Sequence, residues 1–229
     1  MPIFYTNNFY VTTYMLVKTE QMEITMPDYS QSVVFFDLET QWLFQDINSQ
    51  QKPLSGYGKA RNRDSMAKEL KLAVAGLMDH EGHVKFFTED DIEALFNALE
   101  SVDVIVGHNL LRFDYIVLSP YYSGVDVVKK FQGKTFDIMK ELEKVTGIWT
   151  SLGDLGQLNL GFTKSEDTLK IPAMWRGGEH DRVKEYLRTD LELTKGIYEY
   201  GKTKGKLRYT HKDYGKIKGI RTVSVHWDT

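Results

Sequence analysis

Residues 32–37, Ser-Val-Val-Phe-Phe-Asp, form an apolar run that ends in an acid. A run without alternation suits a strand covered on both faces, so it predicts a buried central strand. Two further apolar stretches, 70–78 and 83–87, flank the polar tetrapeptide Asp79-His-Glu-Gly82 and predict an antiparallel hairpin. Thr88 precedes Glu89, Asp90 and Asp91, and Ile92, Leu95, Phe96 and Leu99 then recur at helical spacing. A helix starts there, because a capping hydroxyl and first-turn acids satisfy its unpaired N–H groups and its dipole. The pattern next predicts a strand over 102–106, a helix over 112–118, a short strand at Thr135 and Phe136, and a helix over 137–145. A long helix is expected from about 181 to 200, with Val183, Tyr186, Leu187, Asp190, Leu191, Thr194 and Ile197 on one face. The tail alternates over 207–211 and 220–227 around residues 213–219, which predicts a terminal β-hairpin. Strands alternating with helices point to an α/β sheet.

Between the first strand and the hairpin, residues 41–64 are polar, with Pro53, Gly56 and Gly58 among glutamines. They read as a long loop, a kind of segment that tends to be functional. The chain divides into an N-terminal extension over 1–30, rich in strand formers over 5–17, a main domain over 31–201, and a basic hairpin over 202–229. It has no internal repeat.

Composition narrows the class. At 229 residues, 41% hydrophobic and 27% charged, the chain can bury a full core and is not a disordered segment. The lack of cysteine excludes a disulfide framework and any zinc site built on thiolates. No apolar run approaches the roughly 20 residues that span a bilayer, and residues 1–30 lack a basic start followed by an apolar block. A soluble cytoplasmic protein is expected, with no membrane partner. Net charge is −3, from 29 basic and 32 acidic residues, yet residues 196–229 hold 8 basic against 3 acidic. An acidic body therefore precedes a basic tail.

Three short motifs carry candidate chemistry. Asp37 and Glu39 lie two apart at a strand end, so both carboxylates project from one face and can share a divalent cation; alone, the pair reads first as a solvated turn. Gly107-His-Asn-Leu-Leu-Arg-Phe-Asp114 places an acid just inside a helix that opens after a buried strand. Tyr186 and Asp190 share a helical face with Val183, Leu187 and Leu191. A carboxylate on that face is costly unless a cation meets it, either a base such as Arg182 or a metal shared with the other acids.

Together the motifs resemble the three exonuclease motifs of the DEDD superfamily, in its tyrosine-bearing subclass, and especially the exonuclease domain of family B DNA polymerases. The resemblance spans about 32–201, with 77 residues from Asp37 to Asp114 and 76 from Asp114 to Asp190. It implies an RNase H-like, mixed five-stranded sheet with residues 33–38 central, flanked by helices, and a C-terminal β-hairpin extension. It also implies two-metal hydrolysis of phosphodiester bonds, 3′ to 5′, releasing nucleoside 5′-monophosphates. Asp37, Glu39, Asp114 and Asp190 would hold two Mg²⁺ ions, with Mn²⁺ as a substitute, and Tyr186 would orient the attacking water. Thr40, His108, Asn109 and Phe113 would touch substrate, and a helix over 151–161 would line its channel. The implied partner is single-stranded nucleic acid or a 3′ end, with DNA the first choice and RNA left open, and the implied setting is DNA repair, with a helicase or polymerase as a candidate partner. A second class stays open: a catalytically silent nucleic-acid-binding module that works with a helicase or nuclease.

Other signals compete. Gly196-Ile-Tyr-Glu-Tyr-Gly-Lys-Thr203 matches the phosphate-loop pattern, but that mechanism needs a strand before it and a helix after it. Here a helix precedes and a strand follows, so no NTP partner is expected, and Gly201 is read as the end of the long helix. The six histidines are scattered, none near a second zinc ligand, and His108 is read chiefly as a ring that hydrogen-bonds the loop after its strand. Trp42, Phe44, Tyr57 and Trp175, with Lys59, Arg61 and Arg63 and the segment 202–208, are candidates for gripping a strand.

Overall fold

The run at 33–36 becomes the centre of a sheet in this computed structural model, which describes residues 31–50, 63–162, 167–213 and 215–227. The expected ribbon over 5–17, together with Tyr57, Lys59 and Arg61, lies outside the described residues. In chain order the elements are β1 (Val33–Thr40), α1 (Phe44–Gln50), α2 (Arg63–Ala67), β2 (Leu72–Met78), β3 (Val84–Phe87), α3 (Ile92–Ser101), β4 (Val104–Gly107) and α4 (Asp114–Leu118). There follow α5 (Val127–Phe131), β5 (Thr135–Asp137), α6 (Ile138–Thr146), α7 (Leu152–Leu160), α8 (Ile171–Arg176), α9 (His180–Lys204), β6 (Lys206–Asp213) and β7 (Lys216–Ser224).

The five-stranded sheet runs β3-β2-β1-β4-β5. β1 pairs antiparallel with β2 and parallel with β4, and β5 extends β4 in parallel. Helices cover both faces, so all seven residues of β2 are buried. Side chains of a strand alternate between faces, and β1 shows the consequence. Val33 and Phe35 join α9 residues such as Val183, Leu187 and Leu191 in one core. Phe36 and Leu38 join Leu95, Tyr115 and Phe131 in the other. Asp37 and Glu39 continue the row that faces α9. Gly76 sits opposite Asp37, where a Cβ would come within 2.7 Å of Leu191 Cδ1. The missing side chain lets α9 lie close on the sheet beside the acids.

Two expectations need correction. Residues 41–64 are not all loop, because α1 occupies Phe44–Gln50. Asp46 Oδ2 accepts from the Leu43 N–H at 2.9 Å, Ile47 is buried, and the Phe44 ring lies 6.1 Å from that of Phe113. A capped turn with one apolar side packs onto α4 despite its polar composition. Gly201 does not end α9, which runs on to Lys204 and closes at Gly205 with φ of 61°. Gly201 is instead buried under Trp227, whose Cζ3 would lie 2.2 Å from an added Cβ. Residues 196–203 are helical throughout, so the phosphate-loop match has neither its loop nor its helix start.

The hairpin shares the main core. Leu207, Tyr209, Val225 and Trp227 are buried with Phe35 and Tyr198, and the Trp227 ring lies 5.1 Å from that of Phe136. α7 forms as the sequence suggests, with Ser151 Oγ accepting from the Asp154 N–H at 3.2 Å and Gly161 left-handed after it. Asn159 then hydrogen-bonds both backbone groups of Arg208, at 2.9 and 2.8 Å, which occupies the exposed edge of β6.

Candidate active site

Three segments bring the motif acids to one place. β1 presents Asp37 and Glu39 on its α9-facing row, its neighbour β4 delivers Asp114 as the first residue of α4, and α9 contributes Asp190 from its buried face. All four line a cavity of about 520 Å³, and so do Thr40, His108, Asn109 and Phe113. Tyr186 does not. Its hydroxyl shares a hydrogen bond of 3.0 Å with Thr168 Oγ1, and it is Thr168 that reaches the wall.

The acids sit in an environment hostile to bare charge. Asp114 is 2% exposed, and its Oδ1 accepts no hydrogen bond. Burial first, and then the negative charge of Asp37, push its carboxyl well above the usual carboxylate range. Asp190 is also buried. Arg182, the base considered as its neighbour, is exposed and pairs with Glu179. Asp37 Oδ1 accepts from the Leu38 N–H at 3.0 Å.

A carboxyl raised in the folded state above its unfolded value of 3.8 takes up a proton on folding between the two values. Its stabilising contribution is complete below the unfolded pKa and is lost as pH rises through the folded one. In EDTA, wild-type melting temperature should therefore fall relative to Asp114→Asn as pH rises above about 4. Parallel melts of the two proteins, flat in their difference across that range, would contradict this.

His108 does bond a loop, but not its own: its Nε2 lies 2.8 Å from the carbonyl of Thr150, between α6 and α7. Asn109 takes a left-handed backbone, φ 71°, and its N–H donates to Asp137 Oδ1 at 2.8 Å. Sequence reasoning missed Asp137, which caps α6 and holds this turn, and missed four wall residues, Arg112, Trp149, Thr168 and Lys212. Arg63 does reach the wall. The aromatic candidates fare differently: Trp42 lies under Arg176, at 4.2 Å, and Trp175 stacks on His180, neither of them on the cavity.

One histidine does keep company with acids. Asp79, Glu81 and His83 gather at the β2–β3 turn with ligand atoms within 4.8 Å of one another, and such a group could hold a metal ion. They are largely exposed and bond each other, His83 Nδ1 lying 3.1 Å from Asp79 Oδ2. No three of the four motif acids approach that closely; Asp79, Glu81 and His83 are the one such group among the described residues.

Among solved structures, this chain is similar to the family B DNA polymerase from the hyperthermophilic archaeon Pyrobaculum calidifontis. The TM-score is 0.50 at 14% identity, covering 76% of this chain and 25% of that one. The shared feature is the fold, over a quarter of the polymerase. No family model matches the chain, and no curated protein does. No described helix is long and apolar enough to cross a membrane.

Proposed function

We propose that this chain is a metal-dependent 3′–5′ exonuclease that acts on single-stranded nucleic acid or on free 3′ ends. The observation that carries this is the convergence of Asp37, Glu39, Asp114 and Asp190, from three separate segments, on one cavity, with Asp114 buried and its Oδ1 without a donor. A carboxylate so placed is costly in the protein alone and favourable beside a cation. Carboxylate oxygens suit hard divalent ions, so these four acids would hold Mg²⁺ or Mn²⁺. Such ions, when bound, supply Lewis acidity at the scissile phosphate and lower the pKa of a bound water.

The chain's own groups do the rest. Arg63, Arg112 and Lys212 on the wall offer charge to the backbone phosphates. Phe113 and Thr40 shape the floor against which a terminal nucleotide rests. Tyr186 acts one hydrogen bond back from the cavity, fixing the Thr168 hydroxyl, and would orient water through it. The similarity to a DNA polymerase favours DNA over RNA.

One observation favours the second class, a nucleic-acid-binding module without turnover: the motif acids stand too far apart for any three to share one tight cluster. A single experiment separates the two. A strand labelled at its 5′ end, single or duplex, as DNA and as RNA, is incubated in Mg²⁺, Mn²⁺ or EDTA. The expected result is a ladder shortening from the 3′ end, absent in EDTA. Strand binding with no cleavage in either metal would overturn the exonuclease and select the binding module.

A further inference from the structure

Of the four tryptophans, only Trp149 lines the acidic cavity. It is also 54% exposed, an unfavourable place for so large an apolar surface unless something covers it in use. It is held rather than loose. Its indole Nε1–H donates to Glu143 Oε1 at 2.6 Å, and the other oxygen of that carboxylate pairs with Arg112 at 2.8 Å. The Arg112 guanidinium in turn lies over the indole, 4.8 Å from the ring centroid. The hydrogen bond from Trp149, and then the one from Arg112, keep the Glu143 carboxyl below its usual range, so the clamp is charged at neutral pH.

The loop that carries the ring is pinned at each step. The Gly147 N–H closes α6 on the Glu143 carbonyl at 2.8 Å, and the Ile148 N–H donates to Thr146 Oγ1 at 3.2 Å. His108 takes the Thr150 carbonyl, and Ser151 caps α7. A flat ring with an ordered position, a cation on one side and a wall of carboxylates nearby matches what an unstacked base of a single strand needs: a π face to rest on, with charge for its phosphate close at hand.

We propose that Trp149, oriented by Glu143 and Arg112, is a nucleobase-stacking platform at the rim of the cavity, taking one unpaired base of the strand that enters it. This rests on the nuclease reading of the cavity and adds a subsite to it. Stacking is indifferent to base identity, so the platform gives grip without sequence preference. Trp149 is a positioning residue here; the reacting atoms lie at the acids.

The test uses the full chain in EDTA and a fluorescent oligothymidylate, with a series in which a single abasic site is walked inward from the 3′ end. Wild type should lose roughly tenfold or more in affinity at one abasic position, the effect of a lost base–aromatic stack. Trp149→Ala should bind the intact strand that much more weakly and become indifferent to the abasic position, while Trp149→Phe restores most of the affinity. In Mg²⁺ the alanine variant should raise KM with little change in kcat. Wild type that cleaves strands, alongside a folded Trp149→Ala that binds and responds to abasic sites as wild type does, overturns the platform and leaves the nuclease standing. Wild type that neither binds nor cleaves overturns the nuclease and the platform with it.

Discussion

Asp37→Ala is expected to lose strand cleavage by about a thousandfold or more in Mg²⁺, roughly 4 kcal/mol of transition-state stabilisation, while its fold survives. Asp37 extends the α9-facing row of β1 and shares the cavity with the other three acids. The folded state loses little. Its hydrogen bond from the Leu38 N–H contributes about 1 kcal/mol. Against that stands the removal of a negative charge that pushes the Asp114 carboxyl upward, a repulsion that destabilises the metal-free protein. The two effects oppose each other, so the variant should melt near wild type in EDTA. It should also lose most of the stabilisation that Mg²⁺ gives wild type by binding the folded state alone. Cleavage assays and melts with and without Mg²⁺ check both halves. Retained cleavage would sink the assignment of Asp37, and a variant that no longer folds in EDTA would sink the repulsion account.

Much of this site was legible because its acids ride on regular elements. Strand parity fixes which face Asp37 and Glu39 take, and helical period fixes that of Asp190; all seven residues expected on the inner face of α9 are buried. The central place of β1 follows from its unbroken apolar run. What escaped is held by contacts that no period marks. His108 reaches Thr150 across 42 residues of chain, and Asp137 reaches Asn109 across 28. Trp149 sits in a short loop whose sequence has no pattern, and its meaning depends on Arg112 and Glu143 arriving from other elements. α1 was hidden by polar composition, although Phe44 and Ile47 pack and Asp46 caps. Gly201 misled because a glycine near a helix end has two physical uses, termination and close approach. Here Trp227, 26 residues further on, decides for the second.

The same long-range logic makes Asp137→Ala a damaging change outside the four motif acids. Asp137 is 2% exposed and accepts four backbone N–H groups. Oδ1 takes Asn109 at 2.8 Å, Met139 at 3.1 Å and Lys140 at 3.3 Å, and Oδ2 takes Leu111 at 3.1 Å. Loss of the α6 cap costs about 1 kcal/mol, and each N–H of the turn left without an acceptor costs about 1–3 kcal/mol. Removing the carboxylate also relieves one small source of the upward push on Asp114, too weak to offset those losses. A net destabilisation of about 3–7 kcal/mol is expected, read as a lower urea midpoint at unchanged slope. Activity should fall as well, because the turn from His108 to Phe113 sets where α4 begins and hence where Asp114 stands. A shift of about 1 Å there can cost a hundredfold in rate. Asp137→Asn separates the two roles: its carbonyl can still cap α6, while its amide meets the Leu111 N–H donor to donor. That variant should keep most of its stability and lose activity disproportionately, and more Mg²⁺ should recover part of the loss. Stability within 1 kcal/mol of wild type in Asp137→Ala would show that water replaces those bonds and that the turn holds without them.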